Sequence, residues 1–457
     1  MPTSLRACKS SPCRTRKKKG LGSMRVRARP PSRQRVGAHG SGRLVRERRR
    51  ALKNALSSRV RWRKFRFGMP QRIAAGLLLL FLAQGLWLTS RQTLSERDYA
   101  YARCGREMWE HSPPLAGYFT SCGNIHDGVL GYRLAGLPLT LYVDWERVAD
   151  HFRKPEDRVM ATSDAPVSAW ELRHQMTHVM LLLRMPFMAA GVLLGGVLWW
   201  VTRRLFGDAG GYVALTLYCF SPPVLRLTVM PNPEILTALG LFAAIYTAIG
   251  VAHAMQGPRR KWRPRIVLLT LTLGVVAASH IAALPVALGL SLVLMLWIAE
   301  GRRSLLLPVL LASGAGAIVV LLACYNFSPD AFSYVFRSDA GQLGISLDLA
   351  RRFYASMGNA GLTIAVVAAF WLYGALKRTI YFGNTTPLLV AVVFSVAVTR
   401  GVPGAPQVWA LPFVCAFVAG VFADTFEMPK GRIAMAAAGA ICGLQAVFCL
   451  LSLPGLL

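Results

Sequence analysis

The chain has 457 residues, of which 54% are hydrophobic and 16% are charged. A soluble chain of this length would form two or three domains with polar surfaces, but here apolar runs of membrane-spanning length recur from residue 73 almost to the end. The composition therefore argues against a soluble multidomain protein and predicts an all-α polytopic membrane protein.

The net charge of +32 is concentrated in the first 72 residues, which contain 24 of the 53 Lys and Arg residues and a single acid, Glu47. No periodic apolar face accompanies these charges, so residues 1–70 are predicted to form a disordered basic tail. Two interpretations stay open: a cytoplasmic tail that binds anionic lipid, or a start of translation at Met24 or Met69. Nucleic-acid binding is not expected, because no nucleic-acid-binding fold accompanies the charge.

The transmembrane domain is predicted to cover residues 71–457 and to contain about eleven spanning helices. Several of these segments are shorter than the roughly 20 residues that cross a bilayer untilted, so their ends are uncertain by several residues. The predicted spans are 73–89, 184–201, 210–222, 234–253, 266–282, 284–299, 305–325, 361–376, 386–399, 407–423 and 433–451.

The orientation of the spans follows from the basic residues in the short loops. One side of the predicted membrane receives thirteen Lys and Arg residues and the other receives five. Because cytoplasmic loops are enriched in Lys and Arg, the N-terminus is predicted to be cytoplasmic and Leu457 external. In this topology two long segments lie on the external side, residues 90–180 and residues 326–359. A long acidic external loop directly after the first span suggests chemistry on the outer face.

The first external loop begins with a predicted interfacial helix. Ser95 is a typical helix cap, and Ala, Met and Trp residues recur at helical spacing up to Trp109. Asp98 would then lie close to the membrane surface, where a carboxylate can meet the head group of a lipid-linked substrate. The alternative is an acid in the first helical turn that the helix dipole favours.

An acid just beyond the first span, together with a long first external loop and several short motifs, resembles the GT-C superfamily of membrane glycosyltransferases. The sequence is most similar to the branch that contains protein mannosyltransferases and aminoarabinose transferases, over about residues 73–300. The motifs that carry the resemblance are Arg184-Met185-Pro186, Thr202-Arg203-Arg204-Leu205-Phe206-Gly207, Phe220-Ser221-Pro222-Pro223 and Met230-Pro231-Asn232-Pro233-Glu234.

The resemblance implies that a sugar is transferred from a polyprenyl-phosphate donor on the outer face, with Asp98 as the family's catalytic acid. An inverting transfer needs a carboxylate that takes a proton from the acceptor hydroxyl while the phosphate leaves on the opposite side. Family members usually carry a pair of acids here. In this chain Arg97 separates Glu96 from Asp98, so either carboxylate is a candidate for the base.

A leaving phosphate also needs cations on the outer side, and guanidinium groups suit it through their paired donors. The candidates for binding the phosphate of the donor are Arg184, Arg351, Arg352 and Arg400. The alternative for each is that the side chain reaches lipid phosphate at the membrane surface. No cofactor is fixed by the sequence, and a divalent cation stays an open alternative.

A second acidic site is predicted from Glu234 and Asp127. Glu234 opens a predicted span after two prolines, so its alternative role is a helix-dipole acid. Asp127, in His126-Asp127-Gly128, is either a ligand-binding acid or part of a turn that opens an amphipathic helix.

Two further features of the first external loop involve residues that often bind metals or form cross-links. Cys104 and Cys122 are the cysteines of this loop, and they are expected to form a disulfide if the outer compartment is oxidising. His174 and His178 have the spacing of a zinc-protease pair, but Gln175 occupies the position of the general-base Glu. No metal site is therefore predicted.

The sequence thus predicts a membrane glycosyltransferase, located in a bacterial inner membrane, whose partners are membrane lipid, a polyprenyl-phosphate sugar and an unknown acceptor. A lipid or lipid-linked-sugar transporter is the first alternative, since the same arginines and acids can line a translocation path. The absence of carboxylates between Leu236 and Leu296 favours the enzyme over the transporter. An inactive GT-C-like assembly partner is the second alternative, consistent with the separated acidic pair.

Overall fold

The structure is a computed structural model that describes residues 68–110, 128–152, 176–257, 259–299, 303–328, 360–375, 382–398, 405–428 and 431–456. Within these ranges the chain forms helices joined by short connections, with two 3₁₀ turns, Arg303–Leu305 and Leu453–Leu456. The helices are α1 Met69–Arg91, α2 Glu96–Glu110, α3 Val129–Phe152, α4 Met176–Cys219, α5 Pro222–Thr228, α6 Pro233–Met255, α7 Arg259–Ser279, α8 Ala283–Ile298, α9 Leu306–Cys324, α10 Ala360–Ala375, α11 Phe382–Val398, α12 Ala405–Phe426 and α13 Gly431–Ser452.

Seven helices of the described residues are long and apolar enough to cross a membrane. Two more, Ala283–Ile298 and Gly361–Ala375, are apolar but shorter. These helices confirm the predicted fold class, an all-α polytopic membrane protein. The predicted number of about eleven spans is not established. The predicted spans 184–201 and 210–222 fall on the two helical parts of α4 that meet at a kink, except for the last three residues of the second span.

The kink in α4 lies at Gly207, where the backbone has φ 76° and ψ −176°. A positive φ of this size is readily adopted by glycine and rarely by other residues, so Gly207 allows the helix to change direction without a loop. The sequence predicts a break between two spans here, because basic residues precede Gly207. The kink at Gly207 is that break, and the second helical part continues from it to Cys219.

Helices α2 and α3, from the predicted first external loop, pack against each other at a close crossing. A Cβ atom at Gly105 or at Gly136 would overlap the backbone of the other helix. Nearby, the rings of Tyr101 and Tyr132 stack with centroids 4.0 Å apart. The predicted helices starting near Ser95 and Val129 are therefore both present, and α3 extends to Phe152.

The most deeply buried span is α12, whose apolar stretch Val408–Phe426 is enclosed by neighbouring helices. It packs against α4, α6 and α11. Contacts described below bring together the C-terminal ends of α1, α7, α9 and α13 and the N-terminal parts of α2, α4, α6 and α12. We call this end of the bundle the site end. It corresponds to the side that the charge asymmetry predicts to be external.

Candidate functional site

Asp98 takes part in the capping of helix α2. The Asp98 backbone N–H donates to Ser95 Oγ at 3.3 Å, and the carboxylate oxygen Oδ2 accepts from the Ser95 N–H and from the Ser95 hydroxyl, each at 2.8 Å. This reciprocal pattern is a capping box, in which the cap residue and the third helical residue satisfy each other. The local sequence Ser95-Glu96-Arg97-Asp98 therefore fixes where the carboxylate lies.

The same carboxylate forms a buried ion pair with Arg184 of α4. Arg184 Nη2 donates to Oδ2 at 2.7 Å and Nε donates to Oδ1 at 3.2 Å. Both residues are 1% exposed. The remaining contacts of the guanidinium are Nη1 to Gln92 Oε1 at 3.0 Å and Nη2 to the Thr93 carbonyl at 3.4 Å. Two residues predicted for separate roles, base and phosphate ligand, thus bind each other.

The two predicted acids of the pair lie in different environments. Glu96 is exposed, whereas Asp98 is buried. Both are in the first turn of α2, where the exposed fraction depends on which side of the helix faces α4. The structure therefore separates the two candidates by exposure: Glu96 lies on the surface of the protein, and Asp98 is enclosed by neighbouring residues.

A second polar cluster at the site end is built around Glu234. Asn232 caps α6 by accepting a hydrogen bond from the Glu234 N–H at 2.9 Å, and the carboxylate oxygen Oε2 accepts from the Trp409 indole N–H at 2.7 Å. The His280 ring lies edge-on to Trp409 with centroids 5.1 Å apart. Glu234, Trp409 and His280 are all buried. His280 follows α7 at the break before α8, so three helix ends meet here.

Gly128 connects this cluster to the first external loop. Its φ is +75°, and a Cβ atom placed on it would lie 3.2 Å from the Pro233 ring and 3.6 Å from the Ser279 carbonyl oxygen. Gly128 thus lies beside the start of α6 and the end of α7. Its chain neighbour Asp127 is the second acid predicted for this site, and it lies outside the described residues.

A third polar cluster, around Arg133 of α3, was not predicted from the sequence. Arg133 donates to the Cys324 carbonyl at the end of α9 and to Asn326 Oδ1 at 2.8 Å, and its guanidinium lies 5.2 Å from the Trp109 ring centroid. Burial lowers the pKa of Arg133, an effect that Cys324 partly offsets. Burial also raises the pKa of the neighbouring Tyr132 phenol, partly offset by Arg97.

Arg133 forms hydrogen bonds with a turn whose backbone is strained. Asn326 and Phe327 follow α9 with φ of 54° and 57°, a region that residues other than glycine rarely adopt. The guanidinium satisfies both a terminal carbonyl of the helix and the Asn326 side chain, which stabilises this turn. The sequence signal was available, since an Arg inside an amphipathic helix needs a partner when that part of the helix is buried.

Several predicted residues lie outside the described residues, namely Asp127, Cys122, Arg351, Arg352, Arg400, His126 and His174. Cys104 is disulfide-bonded, while the described cysteines Cys219, Cys324, Cys415, Cys442 and Cys449 are free thiols. The pairing of Cys104 with Cys122 stays a prediction. In the part of the chain that the structure describes, no group of three or more His, Cys, Asp and Glu side chains is placed to hold a metal ion.

Comparison with known proteins finds a family model that matches part of the chain and solved structures with a similar fold. Residues 163–326 match the family model described as dolichyl-phosphate-mannose-protein mannosyltransferase. This match contains Arg184 and Glu234 and begins after Asp98. No curated protein matches the sequence significantly.

Two solved structures have a similar fold. ArnT from Cupriavidus metallidurans, bound to undecaprenyl phosphate, aligns with a TM-score of 0.51 at 13% identity, over 84% of this chain and 70% of ArnT. The archaeal oligosaccharyltransferase AglB from Archaeoglobus fulgidus, in complex with an inhibitory peptide and a dolichol-phosphate, aligns with a TM-score of 0.53 at 12% identity. That alignment covers 83% of this chain and 55% of AglB.

At such identities the structural likeness establishes the fold. The chain has the fold of the GT-C membrane glycosyltransferases, which confirms the resemblance predicted from the motifs. The family-model match over residues 163–326 agrees with the predicted resemblance to protein mannosyltransferases.

Proposed function

We propose that this protein is a membrane glycosyltransferase that moves a sugar from a polyprenyl-phosphate donor to an acceptor at the outer membrane face. The observation that carries the proposal is the buried Asp98–Arg184 pair at the start of the first external loop. An oriented carboxylate next to the end of the first predicted span, in a protein with the GT-C fold, supports the proposal.

The donor class is supported by the lipids in the similar structures. The ArnT structure contains undecaprenyl phosphate and the AglB structure contains a dolichol-phosphate. Both ligands are polyprenyl phosphates, which combine a long apolar tail with a charged head group. We infer the same class of carrier for this chain, with the sugar and the acceptor unspecified.

The transfer that we propose breaks the bond between the sugar anomeric carbon and the phosphate oxygen and forms a bond from that carbon to the acceptor oxygen. The acceptor hydroxyl gives its proton to a carboxylate, and the phosphate leaves with the bonding electrons. Asp98 is the candidate base. Its Oδ2 already accepts three hydrogen bonds, whereas Oδ1 accepts one from Arg184, so Oδ1 has a lone pair for the acceptor hydroxyl.

Glu96 stays the alternative base, because it is accessible without any rearrangement. An acceptor that reaches Asp98 must displace side chains that cover it in this structure, since the residue is 1% exposed. The two candidates therefore make different demands on the protein: Glu96 needs the substrate to approach the helix surface, and Asp98 needs the site to open.

Arg184 has a positioning role in this proposal. Its guanidinium is occupied by Asp98, Gln92 and Thr93, so it orients the carboxylate. The leaving phosphate is then assigned to Arg351, Arg352 and Arg400, which the sequence places in or next to the external loops. Glu234 and Asp127 are proposed to bind the acceptor.

The orientation that we propose has a cytoplasmic N-terminus, an external C-terminus and a location in a bacterial inner membrane. The support is the charge asymmetry of the loops together with the contacts that gather the predicted external helix ends at the site end. Cysteines introduced near residues 258 and 339 test it. A label applied from outside whole cells is expected at position 339 and not at position 258, and the reverse pattern overturns the orientation.

The function is tested in proteoliposomes with a panel of radiolabelled polyprenyl-phosphate sugars and a membrane extract as the source of acceptor. The wild-type protein is expected to form a labelled product, and the Asp98→Asn variant is expected to form at least a hundredfold less, roughly the lower end of the contribution of a general base. Donor that crosses the bilayer without sugar transfer would establish the transporter instead. Neither transfer nor transport would leave the inactive assembly partner.

A further inference from the structure

Gln92, the residue directly after α1, connects three parts of the protein. Its side-chain amide makes two of the contacts, and its backbone N–H makes the third. Its Oε1 accepts a hydrogen bond from Arg184 Nη1 at 3.0 Å, and its Nε2 donates to the Leu456 carbonyl at 3.2 Å. Its backbone N–H closes α1 by donating to the Leu88 carbonyl. The side chain therefore connects the end of the first span, the guanidinium of the candidate site and the C-terminal 3₁₀ turn.

The contact with Arg184 restricts the guanidinium beyond what Asp98 alone can do. A guanidinium is a rigid planar group, so fixing Nη1 fixes the plane in which Nε and Nη2 reach the carboxylate. Asp98 is itself held by Ser95 on its other side. Gln92 is thus the first residue of a chain of hydrogen bonds that leads through Arg184 to the Asp98 carboxylate.

The C-terminal turn that binds Gln92 is attached to the bundle through polar contacts of α13 and through a buried leucine of the turn itself. Helix α13 has the smallest buried share among the seven candidate spans of the described residues. Gln445 of α13 donates to the Phe220 carbonyl at 2.7 Å, and Cys449 Sγ lies 3.7 Å from Gln84 Oε1. Leu453, which is buried, then anchors the turn that presents the Leu456 carbonyl.

The carbonyl that Gln445 satisfies belongs to Phe220, which lies directly after α4 in the turn before α5. This hydrogen bond fixes α13 to the C-terminal end of α4. The position of the C-terminal turn is therefore coupled to α4 at two places, at Phe220 and at Arg184.

We propose that Gln92 is a positioning residue that, with the Leu453–Leu456 turn, aligns Arg184 and hence the Asp98 carboxylate for sugar transfer. This inference rests on the proposed function. A reacting group displaced by about 1 Å costs up to about a hundredfold in rate, so the loss of this contact acts on kcat. The apparent affinity for the donor stays the same, because Gln92 does not contact the donor in this proposal.

The test compares four variants of the full-length protein in proteoliposomes. Gln92→Met keeps the length of the side chain and removes both hydrogen bonds. Gln92→Glu keeps an oxygen for Arg184 and removes the N–H group that binds Leu456. A chain that ends after Ser452 lacks the turn Leu453–Leu456. Arg91→Gln, at the exposed neighbouring position, is the matched control.

For Gln92→Met we expect a roughly tenfold to hundredfold lower kcat with an unchanged KM for the donor. Gln92→Glu should recover most of that loss, the shortened chain should fall between the two, and Arg91→Gln should match the wild type. Recovery by Glu identifies the contact with Arg184, because a merely structural role would not depend on the acceptor oxygen. Wild-type kcat in Gln92→Met overturns the proposal.

A second measurement separates failure of this inference from failure of the proposed function. Hydrogen exchange of the segment 93–98 reports the order of the site without any activity. We expect faster exchange in Gln92→Met and in the shortened chain than in Arg91→Gln. If the wild type transfers no sugar but these differences appear, the glycosyltransferase proposal fails and the positioning contact stands. Equal exchange in all four variants overturns the positioning contact.

Discussion

Asp98 and Glu234 are both buried carboxylates at the site end of the bundle, and they are held in different ways. Asp98 accepts two hydrogen bonds from one guanidinium and two from Ser95. Glu234 accepts a hydrogen bond from the neutral indole of Trp409. Arg184 therefore supplies a positive charge and two N–H donors in one rigid plane, whereas Trp409 supplies one N–H donor.

We propose that this difference suits the two carboxylates to different tasks. A base must be oriented before the acceptor arrives, and the N–H groups of Arg184 orient both oxygens of Asp98. The Trp409 indole is a neutral donor to one oxygen of Glu234, which suits a carboxylate that contacts a polar ligand. We therefore expect the largest effects of substitution at Asp98 and Arg184 and the smallest at Trp409.

The largest effect is expected for Asp98→Asn. The amide keeps the shape of the side chain but cannot accept a proton from the acceptor hydroxyl, so transfer should slow by roughly 10²–10⁴-fold while donor binding changes little. Single-turnover transfer and binding of a radiolabelled polyprenyl-phosphate sugar measure the two quantities separately.

Glu96→Gln is the matched control for Asp98→Asn, since it makes the same change two residues away at an exposed position. A small effect there supports Asp98 as the base. If Glu96→Gln shows the large effect instead, Glu96 is the base and the assignment to Asp98 is wrong. The proposed transfer reaction is unchanged in that case. If neither variant slows transfer more than a few-fold, the catalytic site lies elsewhere and the transporter becomes the better hypothesis.

The second effect concerns the free energy of unfolding. Arg184→Met leaves the buried Asp98 carboxylate without its cation, and breaking a buried ion pair in this way costs about 3–5 kcal/mol. Unfolding in detergent with increasing denaturant measures the loss. The double variant with Asp98→Asn should be more stable than Arg184→Met alone, because the uncompensated charge is gone. Additive losses would show that the two side chains do not stabilise each other.

Much of the fold could be predicted from hydropathy, and the exceptions have physical causes. The predicted span 73–89 corresponds to the helix Met69–Arg91, because a long apolar run needs only its own backbone hydrogen bonds. The predicted boundary between the spans 184–201 and 210–222 corresponds to the kink at Gly207. The form of that boundary, a single glycine with positive φ, is invisible in hydropathy.

The site could be predicted in part. Asp98 and Arg184 were singled out by residue type and by resemblance, but their pairing joins positions 86 residues apart and depends on how α2 meets α4. Trp409 and Gln92 were missed. A Trp within an apolar run gives no sign that its N–H will meet Glu234, which is 175 residues away. Gln92 is ordinary in sequence and gains its role only from the position of the C-terminal turn.

The third-largest effect is expected for loss of the disulfide of Cys104, which fixes the helix that carries Asp98. Cys104 lies in α2 and is disulfide-bonded. If its partner is Cys122, the 17 intervening residues form a loop whose closure stabilises the fold by roughly 3 kcal/mol on the chain-entropy estimate. Cys104→Ser should lose about that much, measured by thermal unfolding without reductant. Free alkylation of both thiols in the untreated wild-type protein would refute the pairing.

The smallest effect is expected at the other carboxylate. Trp409→Phe keeps an aromatic ring in a position that is 2% exposed, but it removes the N–H that Glu234 accepts at 2.7 Å. A buried acceptor that loses its donor costs about 1–3 kcal/mol, so the protein should unfold at slightly lower denaturant and transfer should fall less than in Asp98→Asn. Trp371→Phe, at a position that is 71% exposed, is the control and should change neither quantity. If Trp409→Phe abolishes transfer as completely as Asp98→Asn, Glu234 belongs to the reacting centre and the division of tasks between the two carboxylates is wrong.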